Sequence, residues 1–225
     1  MLTRRHLLAT TAALCLPAAA SARGTVEWSP VQAGAPEFDL LVAGGRVIDP
    51  ASARDGVADV AIRGGRIARV AADIPASAAR AVIDARGRIV TPGLVDLHVH
   101  TDAELTPAWC LGTGVTAMAD GGTYGAGNAD TGLRLAREAK NRVRLLLNLG
   151  RMGLNGLGAV GELLDLANAD VAAARGAVEA HRDLVAGIKV RLSKNAAGAN
   201  DLEAVQRARQ ITAPLGLTVM AHIGQ

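Results

Sequence analysis

Aromatic residues are almost missing from this chain. One Phe, one Tyr and two Trp are spread over 225 residues, so the core must be assembled from Ala, Val, Leu and Ile. Cysteine is as scarce. Only Cys15 and Cys110 occur, and Cys15 falls in an N-terminal segment that reads as removable. Cys110 is then alone, which excludes an internal disulfide and leaves it the role of buried helix filler. A charge excess is lacking too. Arg4 and Arg5 account for two of the 24 basic residues and no acid precedes Glu27, so the chain beyond residue 22 carries 22 cations against 21 anions. With no basic stripe and no interleaved aromatics, nucleic acid is excluded as a partner. What remains is a globular composition, 50% hydrophobic and 20% charged.

The first residues have the pattern of an export signal. Arg4-Arg5-His6-Leu7-Leu8 opens with paired arginines, an apolar run extends from Leu7 to Ala20, and Ala20-Ser21-Ala22 supplies small residues for cleavage. Twin arginines followed by Leu-Leu are similar to the twin-arginine signal, which passes folded proteins. The run is too short for a membrane span, and Pro17 interrupts it. Residues 1–22 are therefore expected to be a signal peptide, the mature protein periplasmic or extracellular, and residues 23–36, polar with Pro and Gly, a linker.

Two rhythms follow. Residues 37–91 hold three β-branched segments, each with a glycine-containing turn at Gly44-Gly45, Gly64-Gly65 and Arg86-Gly87, which predict hairpins and a small antiparallel sheet. After Thr91-Pro92-Gly93, strands predicted at 94–101, 115–120, 143–150, 185–192 and 217–223 alternate with helices at 130–141, 170–183 and 201–213, each helix opening near an Asp. The strands are apolar without strict alternation, as in a parallel sheet buried on both faces. Repeated βα units give an α/β architecture for 92–225, and no Gly-x-Gly-x-x-Gly follows any strand to mark a dinucleotide site.

Three short stretches carry chemistry. In Val95-Asp96-Leu97-His98-Val99-His100, residues two apart share a strand face, so Asp96, His98 and His100 project together. Two imidazoles side by side suit one metal ion, with the carboxylate as an orienting neighbour. Chance also yields a His-x-His among five histidines; its place at a strand end, where α/β barrels collect their active sites, distinguishes this one. Lys189 lies in the apolar strand 185–192, in a chain that uses Arg at 21 basic positions and Lys only at 140, 189 and 194. It either snorkels from the strand end or is there because an amine, unlike a guanidinium, can become nucleophilic and capture carbon dioxide as a bridging carbamate. His222 ends the fifth predicted strand, 33 residues beyond Lys189, about one βα unit. Arg191 and Ser193 share the parity of Lys189 without an assigned role, and Asp120, ending the second strand, is a positioning candidate.

These residues resemble a known family. Pro92-Gly93-Leu94-Val95-Asp96-Leu97-His98-Val99-His100, with the lead-in Asp84-Ala85-Arg86-Gly87-Arg88-Ile89-Val90, is similar to the first barrel strand of the amidohydrolase superfamily. Gly187-Ile188-Lys189-Val190-Arg191-Leu192-Ser193-Lys194 with Ala221-His222-Ile223-Gly224 resembles its amidohydrolase/deacetylase branch, the relatives of dihydroorotase. The resemblance implies a (β/α)8 TIM barrel with a small flanking β-sandwich, residues 37–91 giving the first part of the sandwich and 92–225 the first five βα units. It implies one or two divalent ions, usually zinc: His98 and His100 on the first, carbamylated Lys189 bridging both, His222 on the second. A metal-bound hydroxide would then hydrolyse an amide or ester bond of a small molecule. Dihydroorotase-like members carry an Arg where this chain has Asp102, which favours a deacetylase-like activity over dihydroorotase; a cyclic amidohydrolase and a non-catalytic exported metal-binding protein are the alternatives. The family's sixth-strand His and eighth-strand Asp have no counterpart before Gln225, so the 225 residues are expected to be an incomplete, inactive fragment truncated after strand 5. The partner expected is a small-molecule substrate, with no nucleic acid and no membrane, and homo-oligomerisation left open.

Overall fold

The computed structural model describes residues 28–30, 36–102, 105–156 and 162–224. The expected signal, 1–22, lies outside them, as does most of the expected linker, 23–36. The chain divides into two compact units, one ending at Pro92 and one beginning at Gly93.

The first unit is a six-stranded sheet built from β1 (Trp28–Pro30), β2 (Leu40–Asp49), β3 (Arg54–Arg63), β4 (Arg66–Ala71), β5 (Ala81–Asp84) and β6 (Ile89–Val90). The order is β1-β5-β2-β3-β4, with β6 also on β2. β1 falls inside the expected linker; it pairs antiparallel with β5 at the sheet edge, a place that tolerates Pro30. The sheet is mixed, not antiparallel, and only one of the three predicted hairpins forms. Gly64 and Gly65, at φ +58° and +71°, make the β3–β4 turn. Gly44-Gly45 instead makes a bulge inside the continuous β2, where the register against β3 shifts between Val42 and Gly45. β5 and β6 both run parallel to β2, because the chain crosses from β4 to the far side of β2 before pairing. The bulge is latched by buried Asp59, whose two carboxylate oxygens accept the Gly44 and Ile74 N–H groups at 2.7 and 2.8 Å.

The second unit runs β7 (Leu94–Val99), α1 (Thr106–Gly112), β8 (Val115–Asp120), α2 (Ala129–Glu138), β9 (Arg142–Asn148), α3 (Val171–Ala180), β10 (Val185–Arg191), α4 (Asp201–Leu215) and β11 (Thr218–His222). The five strands are all parallel, in the sequential order β7-β8-β9-β10-β11. The βα alternation predicted from the sequence is present, with one addition: α1, seven residues opened by Pro107, is too short to show a period of its own. Asp170 caps α3 by accepting the Ala173 N–H. α4 continues through Pro214 to Leu215; the Gln210 carbonyl that the missing Pro214 N–H leaves over accepts from Arg175 Nη2 instead. Gly216, at φ +63°, ends the helix.

Ile188 and Val190 point away from the strand's polar side into a core shared with Ala204, Ala208 and Ile211, one stripe of α4. Leu145 and Leu147 of β9 join the same core with Leu133 and Ala136 of α2. Burying each Leu, Ile or Val there stabilises by about 1.5–3 kcal/mol. Half-buried Cys110 of α1 packs against this cluster, the filler role expected of it. Gly187 lets β11 pass close by, since a Cβ there would lie 2.1 Å from the Thr218 carbonyl oxygen. Among the described residues no helix is long and apolar enough to cross a membrane.

Candidate metal centre

The parallel strands deliver polar side chains to one end, the C-terminal end. His98 and His100 come from β7 and the residue after it, Asn148 from β9, Lys189 and Arg191 from β10, and His222 from β11. The ring centroids of His98 and His100 are 5.4 Å apart, and those of His98 and His222 are 6.4 Å apart. β7 and β11 are opposite edges of the sheet, which laid flat would hold them roughly 19 Å apart at the usual strand spacing. The sheet is therefore strongly curled, as in one half of a barrel, and the curl brings together residues 124 apart in sequence.

Lys189 is wholly buried and crosses the curl: its Nζ lies 3.0 Å from His98 Nε2 and 3.3 Å from Met220 Sδ. Among the described residues no carboxylate is in hydrogen-bond contact with it. Burial pulls the amine below the usual lysine range, with Arg191 acting in the same direction and Glu162 and Asp120 opposing it. His98 and His100 are also pushed below the usual histidine value, both by burial first and both further by Lys189. All four predicted ligands, His98, His100, Lys189 and His222, thus lie at one strand end, with direct ring or amine contacts linking His98 to each of the others.

Other parts differ from the sequence reading or were not visible in it. Asp96 orients β7 through the backbone, accepting the His98 N–H at 3.0 Å, and bonds neither imidazole. The ring partner of His100 is Thr123, whose Oγ1 shares a 3.0 Å hydrogen bond with Nδ1. Asp120 has the positioning place the sequence suggested: one oxygen accepts from the Gly122 and Thr123 N–H groups, the other from Thr101 N–H and Thr101 Oγ1, tying the loop after β7 to the loop after β8. Tyr124 donates its hydroxyl to the Thr101 carbonyl.

Between Asp120 and Thr123 the chain needs glycine. A Cβ on Gly121 would lie 2.2 Å from His98 Cδ2, and one on Gly122, at φ +91°, 2.6 Å from Lys189 Cγ. Asn148, fully buried, donates to the Gly122 carbonyl and accepts the Gly150 N–H. The Gly-Gly-Thr following an Asp at a strand end was the available sequence signal for this cradle. Ser193 is buried, its Oγ without a hydrogen-bond partner among the described residues.

The donor chemistry fits a metal on one condition. Among the described residues no three His, Cys, Asp or Glu side chains converge closely enough to hold an ion by themselves. The fourth group at the centre is an amine, which in its usual cationic form has only N–H to offer. His98 beside that group, with His100 and His222 flanking His98, makes a metal site if Lys189 presents an anionic oxygen instead.

No protein-family model matches the sequence. Individual relatives do. The chain is 33% identical over 176 residues to a deacetylase of Agrobacterium fabrum, covering 74% of this chain and 43% of that protein. It is 31% identical over 195 residues to a deacetylase of Enterococcus faecalis, covering 84% and 51%. Among solved structures, a dihydroorotase superposes with TM-score 0.67 at 28% identity, over 84% of this chain and 52% of that one. The chain spans about half the length of the curated relatives it matches. Fold and relatives together define the class, a parallel α/β half-barrel of the TIM-barrel type. Within that class the chain is similar to the deacetylases and dihydroorotases of the amidohydrolase superfamily.

Proposed function

We propose that the protein containing this chain is a metal-dependent hydrolase of an amide or ester bond in a small molecule, deacetylase-like in its preference. The observation that carries this reading is the contact of His98 with the buried amine of Lys189, with the His100 and His222 rings packed edge-on around His98. The deacetylases among its relatives support the acyl preference. The similarity to a dihydroorotase structure supports, as a second reading, hydrolysis of a cyclic amide.

His98, His100 and His222 would hold one or two divalent ions, zinc by the chemistry of imidazole and carboxylate donors, with Lys189 joining them as a carbamate. Such an ion supplies Lewis acidity toward a carbonyl oxygen and a nucleophile at neutral pH. The chain's own residues organise the place. Thr123 holds the plane of the His100 ring through Nδ1, leaving Nε2 to the centre. Asp120 holds Thr123 there, and Gly121 and Gly122 let His98 and Lys189 lie against the backbone. The paired arginines and apolar run within residues 1–22 support export of the protein by the twin-arginine route, with a periplasmic or extracellular site of action.

The test is metal analysis of the full-length protein beside its Lys189→Ala variant, with hydrolysis of a panel of N-acyl and O-acyl compounds. Two zinc ions in the parent, both lost with Lys189, and acyl hydrolysis that falls to background in the variant are expected. A metal content indifferent to Lys189→Ala favours a non-catalytic metal-binding protein, and no metal in the parent overturns the proposal.

A further inference from the structure

Tyr124 is the one tyrosine of the chain and is buried. Its ring presses on α2 where Gly132 stands, since a Cβ there would lie 2.4 Å from Tyr124 Cδ2. A glycine inside a helix is less stable than an alanine, so α2 gives up some of its own stability to admit the ring. Phenylalanine would serve the packing as well. The hydroxyl does something more: it donates to the carbonyl of Thr101, the residue that follows His100. Burial pushes the phenol up, so it remains a donor at every pH near neutrality.

Thr101 is wholly buried, and each of its polar groups is held from outside β7. Its N–H and hydroxyl donate to one oxygen of Asp120, at 2.8 and 2.6 Å, and its carbonyl accepts from Tyr124. The other Asp120 oxygen accepts the Thr123 N–H at 2.7 Å, and Thr123 Oγ1 lies 3.0 Å from His100 Nδ1. These links close a circuit that runs from His100 through Thr101, Asp120 and Thr123 back to the imidazole. Strand pairing does not replace it, because the β7–β8 register shifts between Asp96 and Val99, where the two histidines begin. Tyr124 braces the circuit at the Thr101 carbonyl, and its own carbonyl is anchored to β9 by the Asn148 N–H at 2.8 Å.

We propose that Tyr124 is a positioning residue of the metal centre, holding His100 in place through the Thr101 carbonyl and the Asp120 carboxylate. This role rests on the metal-centre reading above, and zinc affinity, not turnover, tests it. In the full-length protein, zinc affinity is measured by competition with a chromophoric chelator for the parent, Tyr124→Phe, Thr123→Val and Val178→Ala. Urea unfolding and nitrogen NMR of the imidazole rings are followed on each metal-free protein. Val178→Ala, in the core on α3, controls for loss of stability alone. Tyr124→Phe should weaken zinc about 10-fold, and Thr123→Val, which removes the direct partner of His100, about 10- to 100-fold. The His100 ring signals should shift in both. Val178→Ala should unfold more easily, keep its imidazole signals and bind zinc within about 2-fold of the parent. Zinc affinity of Tyr124→Phe within about 2-fold of the parent's overturns the proposal, as does an equal loss in Val178→Ala. If Tyr124→Phe does not fold, Thr101→Val decides at the next link, where it removes one donor from Asp120 and keeps the tyrosine bond. A loss of about 10-fold there supports the proposal, and affinity within about 2-fold overturns it. Zinc weakened in Tyr124→Phe, when the parent hydrolyses no acyl compound, supports the positioning role and counts against the hydrolase reading. A parent that binds no zinc overturns both.

Discussion

Lys189, His98 and Gly122 form a unit in which each residue constrains the next. The lysine stem lies across Gly122 with no room for a side chain, and its amine ends 3.0 Å from His98 Nε2. Gly122→Ala therefore meets two obstacles: an alanine at φ +91° is strained by about 1–3 kcal/mol, and its methyl group overlaps the Lys189 stem. Chemical denaturation should show a loss of at least that size, and metal analysis should show the centre depleted even where the variant remains folded. Normal metal content in Gly122→Ala would mean that Lys189 does not need its present path. Of this unit the lysine and the histidines were legible from residue type and spacing. Gly122, Thr123 and Asn148 were not, because glycine, threonine and asparagine are common in loops and only the approach of another strand's side chain gives them their roles.

Among the elements, β2 departs most from its sequence pattern. Two glycines between β-branched runs predict a hairpin, yet β2 continues through them as a bulge. The difference lies in Asp59 on β3, which supplies acceptors for the Gly44 and Ile74 N–H groups that the bulge and the following loop would otherwise leave unmatched. Asp59→Ala strands both donors and should destabilise the first unit by about 2–5 kcal/mol in urea unfolding. Asp59→Asn keeps one acceptor and should lose about half as much; losses below about 1 kcal/mol in Asp59→Ala would show that the bulge holds without the latch. In the second unit, by contrast, the βα alternation was readable almost throughout. β9 and β10 are buried along most of their length as their apolar runs imply, and the long helices are amphipathic or acid-capped, whereas Leu94, Val95 and Leu97 of the edge strand β7 are exposed. α1 escaped because seven residues are too few to display a period.

For the molecule as a whole, the cost of the site is a wholly buried amine with no carboxylate in contact among the described residues. Burial without a compensating ion pair disfavours the charged form, so the site opposes the stability of the metal-free fold. Lys189→Met, close in shape and free of that penalty, should raise the unfolding free energy of the metal-free protein by about 1–3 kcal/mol while abolishing metal binding, as seen by denaturant titration beside metal analysis. A variant less stable than the parent would show that the amine is well satisfied where it lies.

Composition and periodicity were enough to establish the two rhythms of the chain, the parallel α/β character of residues 92–225 and the four candidate ligands. Those features depend on residue type and on spacing along one strand or one βα unit, both local properties. The mixed pairing of β2, the ion pair of Arg191 with Glu162 and the 6.4 Å approach of His98 to His222 came only with the folded molecule. Strand partners, sheet curl and buried charge pairs are set by contacts between distant segments, whose energies no local window contains.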